Sequence, residues 1–347
     1  MKFGAFILIG PSFFKKKFLI FRHLYTIFLT EKRFNKKYPI ISKPMKKIIQ
    51  RLLMSIIFMQ SIVAYTQDVH FSQIFETPLL RNPSLAGIFK GDIRFQSVYR
   101  TQWNSVTTPY QTTSLSGEFK KQIGNSYDYI TIGGQIVYDK AGSVALTTTK
   151  VLPAINYQKS LSEFRNMYLS LGFMGGIVQR RLDRSKMTTN SQYDGTSFNS
   201  TLADGETFNK PSYSYLDGSV GMSFNTQLGE NEDDNLYIGA AYHHFNKAKK
   251  ISFYSVTEEE MTPKIVGSIG LRMGMSESSF FTLQADYSSQ GKYKEIVGGM
   301  LYSIKLDNNE DPKYLFHTGA YFRWKDAIIP VAKLEFRPLS VAVSYDA

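Results

Sequence analysis

Histidines, serines and clustered acids are the residues from which this sequence could assemble chemistry. A serine activated by histidine for acyl transfer also needs a third group to orient the imidazole and an oxyanion hole. No local signature around His70, His243, His244 or His317 supplies these. His243 and His244 are adjacent; on a strand their rings should face opposite sides, so they cannot share one metal ion. Cysteine is absent, which removes disulfides, thiolate metal sites and a sulfur nucleophile. Gly133-Gly134 falls within a strand pattern, not at a strand-to-helix phosphate loop. The acidic runs Glu230 to Asp234 and Glu258-Glu259-Glu260 lack the spaced oxygens of a calcium loop and read as solvated charge. The expectation is a protein that is not an enzyme, with no catalytic residues, cofactor or metal.

The segments that would position any site alternate with period two from residue 92 onward. Phe281, Leu283, Ala285 and Tyr287 interleave with Thr282, Gln284, Asp286 and Ser288. Phe316, Thr318, Ala320, Phe322 and Trp324 interleave with His317, Gly319, Tyr321 and Arg323. Thirteen strands are readable: 92–103, 111–120, 128–139, 144–159, 167–181, 214–225, 235–245, 264–275, 279–289, 293–305, 314–324, 328–336 and 339–345. Most are about as long as a tilted strand needs to be to cross a bilayer. Aromatic residues gather at their apolar-face ends, as at Tyr99, Trp103, Tyr138, Tyr242 and Trp324. The fold class expected is therefore all-β, a transmembrane antiparallel barrel of the bacterial outer membrane. Single-chain barrels of this kind have even strand numbers, so about fourteen strands are expected, the last lost by truncation.

The chain carries a formal charge of +12, which alone would suggest nucleic acid. Residues 1–66 contain 13 of the 41 Lys and Arg and one of the 29 acids. The remainder, 41 − 13 = 28 bases against 29 − 1 = 28 acids, is neutral, so nucleic acid is not an expected partner. Met45 to Thr66 has the basic start, apolar centre and small-residue end of a signal peptide cut between Thr66 and Gln67. Residues 1–44 then read as a non-structured or mis-assigned extension. Residues 67–91 form a periplasmic lead-in or plug, and residues 92–347 the barrel. The long polar connection Asp183 to Tyr213 suits an exterior loop.

Several short motifs in order resemble the PorP/SprF family of outer-membrane proteins from the Bacteroidetes type IX secretion and gliding-motility system. They are Gln67-Asp68 with Phe71-Ser72-Gln73, Arg81-Asn82-Pro83 with Ala86-Gly87, Tyr99-Arg100 with Gln102-Trp103, and Ile132-Gly133-Gly134 with Asp139 and Gly142. Val69 and Ser84-Leu85 stand where the family usually has proline and Pro-Ala, and the family continues beyond Ser344-Tyr345-Asp346 into one more strand. The resemblance implies a role in secretion or surface anchoring of exported proteins such as adhesins. Its implied partners are outer-membrane lipid, secreted proteins with type IX C-terminal domains, and periplasmic or outer-membrane secretion components. The motif residues are the candidate plug or partner-binding residues. Arg100, expected to line the lumen, has Asp139 or Glu118 as candidate partners. The alternatives are a passive channel or small-solute transporter, whose lumen Arg94, Gln96, Gln284 and Asp286 would suit, and a soluble β-sandwich adhesin.

Overall fold

The computed structural model describes residues 2–10 and 71–347, except 105–107, 125, 207–209, 230, 232–233, 252, 254–257 and 308–311. The proposed signal peptide, its cleavage position at Thr66 and Gln67, and Asp68 and His70 lie outside the described residues.

Thirteen strands form one antiparallel sheet in which each pairs with the next in the sequence. They are β2 (Ile93–Gln102), β3 (Tyr110–Ile123), β4 (Asp128–Ala141), β5 (Leu146–Ser162), β6 (Met167–Arg181), β7 (Ser212–Gln227) and β8 (Asn235–His243), continuing with β11 (Lys264–Ser276), β12 (Ser279–Gln290), β13 (Tyr293–Lys305), β14 (Tyr314–Arg323), β15 (Ala327–Phe336) and β16 (Leu339–Tyr345). Each matches a strand expected from the alternation, with ends moved by a few residues at most.

The thirteen strands do not close on themselves. An odd antiparallel series leaves its first and last strands pointing the same way. Between them lies β1 (Lys2–Gly10), parallel to both, with Phe6 opposite Val98 on β2 and opposite Ala342 on β16. Sequence patterning assigned no element to this stretch. Two free sheet edges with unpaired backbone groups explain why an extended segment seats there.

The wall is inverted relative to a water-soluble protein. Ile132 and Leu216 on its outer face are 60% and 67% exposed, whereas Thr131 and Asn156 on its inner face are fully buried. Fully burying a large apolar side chain is worth about 1.5–3 kcal/mol, so a whole apolar outer face left in water would be unstable. Hydrocarbon removes that cost, and a closed hydrogen-bonded wall is what it demands of the backbone. Among the described residues no helix is long and apolar enough to cross a membrane.

The two long connections, β6 to β7 and β8 to β11, emerge on one side of the barrel, here the loop side; opposite it is the turn side. The second carries a small hairpin, β9 (Lys249–Ile251) and β10 (Glu258–Glu260), which sets Lys249 opposite Glu260 and Lys250 opposite Glu259. The acidic run Glu258 to Glu260 is thus a strand with a basic partner.

Candidate functional site: the segment inside the barrel

Residues 71–91 contain only short helical pieces: a 3-10 turn at Ile74–Glu76, one helical turn α1 (Pro78–Arg81), and a second 3-10 turn at Pro83–Leu85. Proline opens both of the latter two, where its missing N–H costs nothing. The Asn82 side chain caps the last turn, accepting from Ser84 N at 2.9 Å. So short and irregular a segment leaves many backbone groups to be satisfied by the wall.

Its contacts run round the ring, which is possible only from inside. Ser72 Oγ accepts from Arg323 Nη2 at 2.8 Å on β14. Glu76 accepts from Lys333 Nζ at 2.7 Å on β15 and from Gln96 Nε2 at 3.2 Å on β2. Arg81 donates from Nε to Asp286 Oδ1 on β12 at 2.7 Å and lies over the Tyr237 ring of β8. Asn82 Nδ2 donates to the carbonyls of Met222 on β7 and Ala240 on β8, each at 3.2 Å. Asn156 Nδ2 on β5 donates to the carbonyls of Ser84 and Ala86 at 3.0 and 2.6 Å. Gly87 N donates to Glu118 Oε2 on β3 at 2.8 Å. Arg94 Nη2 holds the other oxygen of that carboxylate at 2.7 Å.

Apolar contacts fill the spaces between these bonds. Leu79 and Ala86 pack with Leu152, Ala154 and Met174; Phe71 and Leu80 pack with Val98 and Ala342. Phe75 stacks on Tyr321 with ring centroids 5.0 Å apart. Pro83 passes so close to Gly172, and Asn82 to Gly221, that a Cβ at either glycine would collide with the segment. Gly87 has φ +81°, and an added Cβ there would collide with Thr131.

Among the candidates from the sequence, Phe71, Ser72, Gln73, Arg81, Asn82, Pro83, Ala86 and Gly87 are therefore buried together within the lumen. Gln73 is fully buried, and its amide has no hydrogen-bonding partner among the described residues. Arg100 is also buried, and one of its bonds runs to an acid that the sequence reading did not offer. Arg100 Nη2 meets Asp346 Oδ2 at 3.4 Å. Of the two acids the sequence offered, Glu118 sits opposite Arg94, and Asp139 accepts from Thr112 Oγ1 at 2.6 Å. Gln102 closes β2, and Trp103 stands at its end with its ring edge-on to Tyr110 at 4.6 Å.

The three described histidines are hydrogen-bonded within the barrel. His317 Nδ1 lies 2.6 Å from Ser303 Oγ. His243 and His244 do not face opposite sides: β8 ends at His243, and His244 has φ +60°. Both rings are buried; His243 Nε2 lies 3.3 Å from the Arg81 carbonyl and His244 Nδ1 lies 2.8 Å from Asp217 Oδ1. No group of three or more His, Cys, Asp or Glu is placed to hold a metal among the described residues.

An apolar outer face, a polar lumen and an internal segment bonded round the wall define a membrane-spanning β-barrel occupied by its own lead-in. Residues 63–347 match the family described as Type IX secretion system membrane protein PorP/SprF, and the chain belongs to that family. No curated protein and no solved structure matches the chain.

Proposed function

We propose that the protein is a plugged, non-enzymatic scaffold of the type IX system in the bacterial outer membrane. It would assist secretion or surface anchoring of exported proteins such as adhesins, engaging their C-terminal domains, with secretion components meeting its turn side. The loop side, carrying both long connections, would face the exterior. The observation that carries this reading is the bonding of Arg81, Asn82 and Gly87 to different strands of the wall, which supports a segment that obstructs the bore. An obstructed bore favours holding a client over conducting solute.

Two measurements test it. A tagged copy extracted in mild detergent should retain a secreted C-terminal domain or a secretion component; retention of neither would reject the scaffold role. In liposome-swelling assays the wild-type barrel should not admit small sugars. Free admission would favour the channel reading instead.

A further inference from the structure

On the outer face, residues without bulky side chains fall into a single row across five neighbouring strands. Gly117 on β3 stands opposite Gly134 on β4, and Gly134 opposite Pro153 on β5. The β5–β6 register, with Val151 opposite Ile177 and Ala154 opposite Met174, puts Gly175 across from Pro153. Gly175 in turn stands opposite Gly218 on β7. At about 4.8 Å per strand the row runs roughly 19 Å round the wall. Ile132, Ile155 and Phe173 flank it on one side, and Val151, Ile177 and Leu216 on the other, all exposed.

Between Ile132 on β4 and Gly218 on β7 the row forms a trench of about 600 Å³ with an almost wholly apolar lining. A phenylalanine covers each end of the row, and the one at the β7 end, Phe245, lines the trench. The Phe95 ring lies over Gly117, where an added Cβ would stand 3.0 Å from it; the Phe245 ring lies over Gly218, at 2.7 Å by the same measure. Beyond Phe245 the lining becomes polar. Asn246 borders the trench, its Nδ2 donating to the Leu216 carbonyl at 2.8 Å, and exposed Lys247 follows.

We propose that this trench binds one hydrocarbon chain of an anionic membrane lipid, with the headgroup beside Asn246 and Lys247. The position decides the occupant. The trench opens onto the face that hydrocarbon must cover, where water cannot fill it favourably. It is one side-chain row wide and about one side chain deep, which suits a single extended chain. Its polar end carries the Asn246 amide, and the next residue, Lys247, is an exposed cation, a pair that matches a phosphate headgroup. A chain held in the trench against the Phe245 ring should dissociate more slowly than lipid elsewhere on the barrel.

The test uses the full chain in nanodiscs containing equal amounts of phosphatidylcholine and phosphatidylglycerol, followed by stepwise stripping of lipid in native mass spectrometry. The wild type should keep one phosphatidylglycerol after the remaining lipid has gone. P153L and G134L, which put side chains into the trench, should lose it, whereas V343L, on the outer face of β16, should keep it. K247E lies in an exposed connection and leaves the wall untouched; it should abolish the preference for phosphatidylglycerol. Heat-modifiable gel migration confirms that each variant is folded. Unchanged retention in folded P153L and G134L, unchanged preference in K247E, a wild type that keeps no lipid, or a retained polypeptide in place of lipid would each overturn the proposal.

Discussion

Arg81 and Asp286 are separated by 205 positions in the sequence and meet inside the barrel, Nε to Oδ1 at 2.7 Å, with both side chains buried. The Arg81 carbonyl also lies beside His243, so this one residue ties the lumen segment to β12 and to β8. Removing one partner of a buried pair leaves an uncompensated charge, whereas replacing both by apolar groups of similar size is often nearly neutral. D286L should therefore destabilise the barrel by about 3–5 kcal/mol. The double variant R81M/D286L should recover most of that loss. Urea unfolding of the reconstituted protein measures both.

The glycines beneath the segment give a second prediction. Gly221 accepts the close approach of Asn82, while at Gly267 an added Cβ would meet nothing within 4 Å. G221L should lift the segment from the wall, costing about 1–3 kcal/mol through overpacking. It should also raise ion conductance in planar bilayers. G267A should change neither.

Acid should loosen the long loop after β6. Asp194 Oδ1 accepts the backbone N–H groups of Thr196 and Ser197 at 2.9 and 2.8 Å, which holds its carboxyl below the usual carboxylate range. The backbone N–H of Glu206, aided by Arg184, holds Asp204 down. Their pKa values are depressed in the folded loop. Their contribution is thus complete above the ordinary carboxylate pKa of about 4 and is lost as pH falls through the lower, folded values. Protease nicking within 183–211 should accelerate below about pH 4. D194N, which retains a neutral acceptor, should show a weaker pH dependence.

The outer face should resist charge in proportion to depth. Ile155 lies near the middle of β5 and is exposed. I155R should cost about 2–4 kcal/mol, the penalty for arginine at the bilayer midplane of a barrel. S197R, in the long loop, should cost almost nothing. Refolding into lipid vesicles, followed by denaturant titration, compares the two.

The strands were legible because each carries its own alternation. Ile130, Ile132, Gly134, Ile136 and Tyr138 against Thr131, Gly133, Gln135 and Asp139 declare two faces without reference to any other strand. The lumen was legible only as a set of residue types. Which wall residue meets which plug residue depends on register summed over many strands, and one sequence does not encode that locally. Arg100 illustrates the limit: only nearby acids were offered, and its bond to Asp346, 246 positions away, was not among them. His244 illustrates another, since a change to positive φ at the end of β8 cancels the alternation expected for neighbours. Gly172 and Gly221 did carry a signal. Each is a small residue on the polar face of a long strand, where close backbone approach is the usual reason for glycine.

Asp346 accepts from Arg100 on β2 and from Arg323 on β14, at 3.4 and 3.3 Å, and Arg323 also holds Ser72. This carboxylate works as a latch across the seam where β1 fills the space between the first and the last of the thirteen strands. The lips of that seam would each present a row of bare amides and carbonyls to hydrocarbon until zipped, and the contacts that zip them are the most distant along the chain. Assembly should accordingly finish there, with the lead-in already seated, because the final fastening draws on a guanidinium that the lead-in helps to hold.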